Sequence, residues 1–365
     1  MDIGTHSARC AYADKTNGEA APVIIPNRWG NTFTPLSAEE NGENSIPDIL
    51  CSLREDAEAF LGRFVSSCAL TVPAFFSAPQ LEVLKQSAKS AGLADIRTIS
   101  KPAAAALTLG RAGRFMVLDC GAGTSAISIV EGGGVEWSVL EEAESANVGG
   151  NFDITLAEWM CERLQLGHIP EGDPRWGVLL REAEPLKIAL SSDFACEWKP
   201  PSLNNREFPT INIEREELER MTRFSIKRLT NAARRLWDKY CPERLLLVGG
   251  ASNTPLLRDM IEREITRPED LNISAEGNAA AGAALYALAE LGRQPGGPPA
   301  PSVGTQQARD FKIRLVRIEP SLKQAQKERL NFMVNELENL ESDASSIEIF
   351  EGIVKGLEAE FLKKT

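Results

Sequence analysis

Histidine is almost missing from this chain of 365 residues: His6 and His168 are the only two, which leaves an imidazole-based metal centre without ligands. Paired cysteines are missing as well. Cys10, Cys51, Cys68, Cys120, Cys161, Cys196 and Cys241 stand singly, odd in number and without a C-x-x-C spacing. That argues against a disulfide framework and predicts reduced, mostly buried thiols. Positive charge is in deficit: 40 Lys and Arg face 52 Asp and Glu, for a net charge of −12. A protein whose main task is to hold nucleic acid shows the opposite balance. The N-terminus lacks the basic-then-apolar pattern of a secretory signal, and no apolar run is long enough to span a bilayer. Together these absences predict a cytoplasmic protein with neither a membrane nor a nucleic acid as direct partner.

What is present is an ordinary globular composition, 43% apolar and 25% charged, in a chain too long for one core. Two glycine turns stand out: Asp2-Ile3-Gly4-Thr5-His6-Ser7 and Asp119-Cys120-Gly121-Ala122-Gly123-Thr124-Ser125. Each has an aspartate ending a strand, then small residues, then a hydroxyl. Glycine lets backbone amides approach a phosphate, and successive amides make an anion nest. An aspartate at that place supplies a carboxylate for hydrated Mg²⁺. Two such turns suggest a nucleotide gripped between related halves.

The coarse reading is of strands and helices in mixture. Strands are expected at 8–13, 22–25, 70–73, 96–99, 115–119, 124–131, 135–140, 209–213 and 244–248. Helices are expected at 78–91, 103–109, 151–165, 178–192, 214–238, 255–264 and 277–291. Residues 37–56 are polar and acidic without a clear period and read as loop. Gly292–Gly304 is a Pro/Gly-rich linker. Beyond it, 321–341 and 346–363 carry amphipathic helical patterns, read as a hairpin packing its own apolar faces or as a partner-binding arm. Such a pattern suits an open α/β sheet with ligands beyond the carboxyl ends of its strands.

Further motifs follow in a fixed order: Leu70-Thr71-Val72-Pro73-Ala74-Phe75-Phe76, Ile99-Ser100-Lys101-Pro102-Ala103-Ala104-Ala105, the Asp119 turn, Val148-Gly149-Gly150-Asn151-Phe152-Asp153, Val248-Gly249-Gly250-Ala251-Ser252-Asn253-Thr254-Pro255, and Ala281-Gly282-Ala283-Ala284. In this order, over about 1–290, the chain resembles the ATPase domain of the seventy-kilodalton heat-shock chaperones of DnaK type. The resemblance implies an α/β, two-lobed actin-like ATPase fold of duplicated mixed sheets flanked by helices, with a short C-terminal helical tail. It divides the chain into a first lobe at 1–110, a second at 111–291, a linker and irregular segment at 292–320 and a helical tail at 321–365. It also implies ATP or ADP with Mg²⁺ in the cleft, and co-chaperones or nascent and unfolded polypeptide as partners. Gly4, Thr5 and His6 match the first phosphate loop, and Gly121, Ala122, Gly123 and Thr124 the second. Asp2 and Asp119 match the carboxylates near the metal and the reaction. Gly149 and Gly150 match a turn beside the nucleotide, and Gly249, Gly250, Ala251 and Asn253 the loop under the adenosine. Glu184, Lys187 and Ser191 stand in the register of an adenosine-contacting helix face.

The chain also departs from that pattern. Lys101 stands where the family has a glutamate near the attacking water, and an ammonium can neither accept a proton nor hold a metal. Ala126 replaces an acidic residue, and Asn253 an arginine that lies along adenine. Most of the outer subdomain of the first lobe is absent from the pattern. So is most of the first core strand, which predicts an uncovered strand edge and suggests a truncated gene product. The leading expectation is a nucleotide-controlled chaperone or co-chaperone with hydrolysis weak or lost. The alternatives left open are an active ATPase using Glu141, Glu142 or Glu144 as the substitute carboxylate, an interaction scaffold with an empty cleft, and a sugar-kinase relative.

Overall fold

The computed structural model describes residues 1–4, 7–16, 19–36, 45–121, 125–145, 148–203, 206–274 and 277–291. The expected linker and tail helices beyond 291 lie outside the described residues. The chain opens with an antiparallel meander of β1 (Asp2–Ile3), β2 (Ser7–Thr16) and β3 (Glu19–Ile25), and β4 (Thr34–Pro35) also pairs with β2.

Helix α1 (Ile46–Leu61) follows, so the expected loop at 37–56 is wrong from residue 46 onward. The Asp48 carboxylate accepts from the Ser45 N–H at 3.2 Å and from its hydroxyl at 2.5 Å, and Pro47 sits in the first turn. Ile49, Leu50, Leu53 and Ala57 line the buried face. The apolar period was hidden because Asp56 and Glu58 are buried beside them. Asp56 takes a bond from Arg28 at 3.2 Å, and Glu58 one from the Val65 N–H at 3.1 Å.

β5 (Ser67–Val72), α2 (Ala78–Ser90) and β6 (Asp95–Ser100) form a parallel βαβ unit. The Ser77–Gln80 capping box opens α2 as the sequence indicates. Gly92 follows its end at φ +84°, a conformation that favours glycine.

Helix α3 (Lys101–Leu107) leaves β6 directly, with Ser100 as N-cap. Then come β7 (Gly113–Cys120), β8 (Ser125–Gly133) and β9 (Glu136–Ser145), a second antiparallel meander. Helices α4 (Val148–Arg163) and α5 (Pro174–Ser192) follow, then an unforeseen strand β10 (Ala195–Trp198) paired with β11 (Ile211–Glu214). Helix α5 begins four residues before the expected 178, because Asp173 caps it by accepting from the Arg175 N–H at 2.9 Å. It continues past Pro185. Last come α6 (Arg215–Tyr240), β12 (Arg244–Val248), a 3-10 turn at Gly250–Asn253, α7 (Pro255–Glu264), β13 (Leu271–Ser274) and α8 (Asn278–Leu291). β13, also unforeseen, pairs in parallel with β12.

The five-stranded sheet runs β13-β12-β7-β8-β9, parallel across its first three strands and antiparallel across the rest. The earlier strands repeat this order. β6 pairs β5, and Met1 bridges β5 to the β1-β2-β3 meander: its amine donates to Ala69 O at 2.8 Å and its carbonyl accepts from the Thr71 N–H at 3.0 Å. Met1 thus covers part of the β5 edge expected to be bare. In this comparison β1 corresponds to β7, and α3 to α8.

Side chains of the five-stranded sheet alternate between two faces. Met116, Leu118, Leu245 and Leu247 pack against α6 and α7 through Ile226, Leu229, Ala233, Leu257 and Ile261. Phe115, Val117, Leu246 and Val248 pack against Ala105 and Ala106 of α3. The outer face of α3 meets α8 through Ala103, Ala104 and Ala283, with Ala69 and Ile99 from β5 and β6 in the same cluster. The approach is closest at Gly282. A Cβ there would lie 1.8 Å from the Ala104 carbonyl oxygen, which is backbone and has little room to give.

Gly282→Ala is expected to lower the unfolding free energy by about 2–3 kcal/mol through overpacking. Gly172→Ala, at a position with open space, is expected to stay within about 0.5 kcal/mol. Urea titrations of both variants check this; equal midpoints would overturn the account of the α3–α8 contact.

Candidate functional site

Asp2 and Asp119 sit on the corresponding strands β1 and β7, and Lys101 heads the helix between the two meanders. The Lys101 ammonium lies 3.2 Å from Asp2 Oδ1 and donates to the Ile3 carbonyl at 3.0 Å. Thr71 of β5 donates its hydroxyl to the same Asp2 oxygen. Sequence reasoning gave Thr71 no role. Its one signal was a buried hydroxyl in an otherwise apolar strand.

Burial pushes the Asp119 carboxyl above the ordinary carboxylate range. The Lys101 ammonium pulls it down, and the charges of Asp2 and Glu142 push it further up. Lys101, Asp2 and Glu142 therefore all act on the Asp119 carboxyl. Among the three glutamates left open as substitutes, the structure distinguishes two. Glu141 is held by Lys239 and by the Tyr240 hydroxyl at 2.6 Å, which keeps its carboxyl below the usual range. Glu142, one residue on and so on the other face of β9, accepts from Ser128 Oγ at 2.7 Å. Nothing is described of the Glu144 side chain.

Gly249 leaves β12 at φ +89°. A Cβ there would meet the Cys120 carbonyl oxygen at 2.5 Å and Asp119 Oδ1 at 2.9 Å. The ends of β7 and β12 thus touch backbone to backbone, which only glycine permits. Gly4 is similarly close to the Ser7 carbonyl, to which its N–H donates at 2.9 Å. Gly121 is described only at the edge of its turn. Thr5, His6, Ala122, Gly123 and Thr124 lie outside the described residues. Cys120, inside the second turn, is wholly buried and its thiol is pushed up by burial, so it is a packing residue rather than a nucleophile.

A second group of expected residues gathers around α4. Gly149 and Gly150 belong to the first turn of α4, so the helix starts three residues before the expected 151. Phe152 shares a core cluster with Ala251 of the 3-10 turn. The neighbouring Asp153 pairs with Lys187 of α5 at 2.6 Å, both side chains being mostly buried. Ser191 donates to the Lys187 carbonyl at 2.9 Å, and Glu184 is exposed. Gly250 has open space beside its Cα. Asn253 is exposed and accepts from Arg258 at 2.8 Å, while Arg258 also donates to the Ser252 carbonyl at 2.8 Å. Asp153 and Arg258 were not singled out from sequence. Arg258 lies one turn into α7, where no motif marks it.

The donor set for a divalent metal is incomplete. Among the described residues no group of three or more His, Cys, Asp or Glu is placed to hold one. The Asp2 oxygen nearest the site already has an ammonium and a hydroxyl on it. Two unit charges 4 Å apart interact by about 4 kcal/mol at an effective dielectric of 20, and a divalent ion would feel about twice that repulsion from Lys101. Direct ligation of a metal through Asp2 Oδ1 is therefore opposed by Lys101, which leaves Asp119 as the carboxylate expected to reach a hydrated Mg²⁺ through water.

A raised Asp119 pKa means that the native state holds its proton to higher pH than the unfolded chain does. Stability consequently falls as pH rises from the ordinary carboxylate value through the raised one. Asp119→Asn is expected to raise the melting temperature at pH 7, with the gain shrinking as pH falls toward 4. Melting curves across that range check this, and a lower melting temperature at pH 7 would contradict it.

The family model for Hsp70 protein matches residues 2–294. Chaperone protein DnaK of Mycoplasmopsis pulmonis is 30% identical over 275 residues, covering 69% of this chain and 46% of that protein. The HscA homologue of Laribacter hongkongensis is 32% identical over 250 residues, covering 66% and 40%. A DnaK of Mesomycoplasma hyopneumoniae is 31% identical over 294 residues, covering 74% and 48%. The chain thus spans less than half the length of the curated relatives it matches.

Proposed function

This chain belongs to the Hsp70 family, and on that premise we propose that it is a nucleotide-binding chaperone or co-chaperone whose ATP hydrolysis is weak or lost. In this reading the fold is the two-lobed actin-like ATPase, with a first lobe over 1–110 and a second over 111–291. The shared strand order of the two meanders and their parallel neighbours supports it. ATP or ADP lies between the Gly4 and Gly121 turns, whose amides hold phosphate oxygens. Gly249, Gly250 and Ala251 lie under the nucleoside, with Lys187 and Ser191 beside it.

The observation that carries the inactive half of the reading is Lys101. A lysine ammonium, paired to Asp2, occupies the place of the family's glutamate. It offers donors only and takes no proton from an attacking water. Nucleotide then acts by favouring one arrangement of the two halves, to the extent that it binds that arrangement more tightly. Co-chaperones and unfolded polypeptide are the partners implied by the family. The charge balance disfavours nucleic acid, and no described helix is long and apolar enough to cross a membrane.

A second reading rests on Glu142. Its charge acts on Asp119 and its carboxylate is held by Ser128, so of Glu141 and Glu142 it is the one better placed to orient water in an active ATPase.

Calorimetric titration is expected to give a dissociation constant for ATP and ADP on the order of micromolar or tighter, with single-turnover hydrolysis at background. Absence of binding heat for both nucleotides sinks the proposal. Hydrolysis well above background that disappears in Glu142→Gln replaces it with the second reading.

A further inference from the structure

We infer that the Lys101 ammonium is a resident cation of the cleft, standing in for the divalent metal, so that this chain binds nucleoside di- and triphosphates without Mg²⁺. The inference rests on the nucleotide site proposed above and concerns how that site neutralises phosphate charge.

Three observations carry it. The ammonium is fixed rather than swinging on a flexible stem: it donates to the Ile3 carbonyl at 3.0 Å and is ion-paired with Asp2 Oδ1 at 3.2 Å. An ammonium has three hydrogens, so donor capacity remains for an anion. Second, Lys101 is the first residue of α3, where the helix dipole disfavours a positive side chain. The Asp2 carboxylate in contact with it offsets that cost, and the ammonium also acts electrostatically on Asp119. Third, the Asp2 oxygen that faces Lys101 is also the acceptor for Thr71. A metal bound directly to Asp2 Oδ1 would compete with both contacts.

The charge arithmetic fits the same role. Asp2 is matched by Lys101. A polyphosphate arriving there therefore meets a fixed ammonium rather than a bare carboxylate, which would need a metal to bridge it to phosphate.

Titration of the wild-type chain with ADP and with ATP, once in Mg²⁺ and once in EDTA, tests this without any variant. The expected dissociation constants agree within about threefold between the two conditions. Lys101→Glu is expected to bind at least about tenfold more tightly in Mg²⁺ than in EDTA, and Lys101→Met to bind about tenfold more weakly than wild type in both. Binding by wild type in Mg²⁺ but not in EDTA overturns this inference and leaves the proposed function standing. No binding in either condition overturns both. Melting temperatures of the two variants, measured alongside, separate lost binding from lost folding, and the wild-type comparison decides the matter even where both variants unfold.

Discussion

The packing of α3 on α8 is the contact from which the rest of the structure takes its dimensions. Gly282 lies against the Ala104 carbonyl, and alanines fill the ridge on either side. Small residues are required because each helix also serves a sheet. α3 backs the five-stranded sheet through Ala105 and Ala106, while α8 packs against β2, β3 and β5. Two helices at van der Waals contact thus fix the distance between two sheets. Since α3 begins at Lys101, they also fix where the ammonium stands against Asp2. A larger residue at 282 would move the helix that carries the charge, so core packing and site geometry are one constraint.

The charged groups around Lys101 do not stabilise the fold in any simple way. Withdrawing carboxylates from water costs several kcal/mol per ion, and pairing often only offsets this. Asp119 carries that cost through burial, with Asp2 and Glu142 adding to it. A cation at a helix N-terminus adds a further small cost. Elsewhere the chain obeys local rules closely: the Ser45 and Ser77 caps, the glycine at 92 and the alternation along β7. The departures from those rules thus gather around Lys101, against a background of consistency elsewhere.

Much of this was legible in the sequence because its cause is local. Glycine turns after strand-ending aspartates, capping boxes and period-2 runs each announce themselves within a few residues, and β7, β8, β12 and α2 lie where those signals put them. α1 was hidden because its inner face carries Asp56 and Glu58, whose partners Arg28 and Val65 are local only in space. β10 and β13 are four residues each, too short for a period, and exist because a neighbouring strand offers an edge. At the site, the identity of Lys101 was plain, yet its seat on Asp2 and the Ile3 carbonyl was not, since it joins residues about a hundred positions apart. Glu142 could be told from Glu141 only once β9 had faces.

One pattern links the two groups of expected site residues. Lys101 is paired with Asp2, Lys187 with Asp153, and Arg258 with Asn253. Among the described residues these three cations thus each have an internal partner already. On the proposed reading, a nucleotide contact with Lys187 or Arg258 competes with one already made, whereas Lys101 keeps a donor hydrogen for an anion. The backbone of the proposed site contributes as well: Gly250 has open space beside its Cα, and Gly249 lies against the Cys120 carbonyl. Those are backbone features that depend on how the ends of β7 and β12 meet. An arrangement of that kind makes affinity sensitive to the relation between the two sheets, and so gives nucleotide leverage over that relation even where no bond is cleaved.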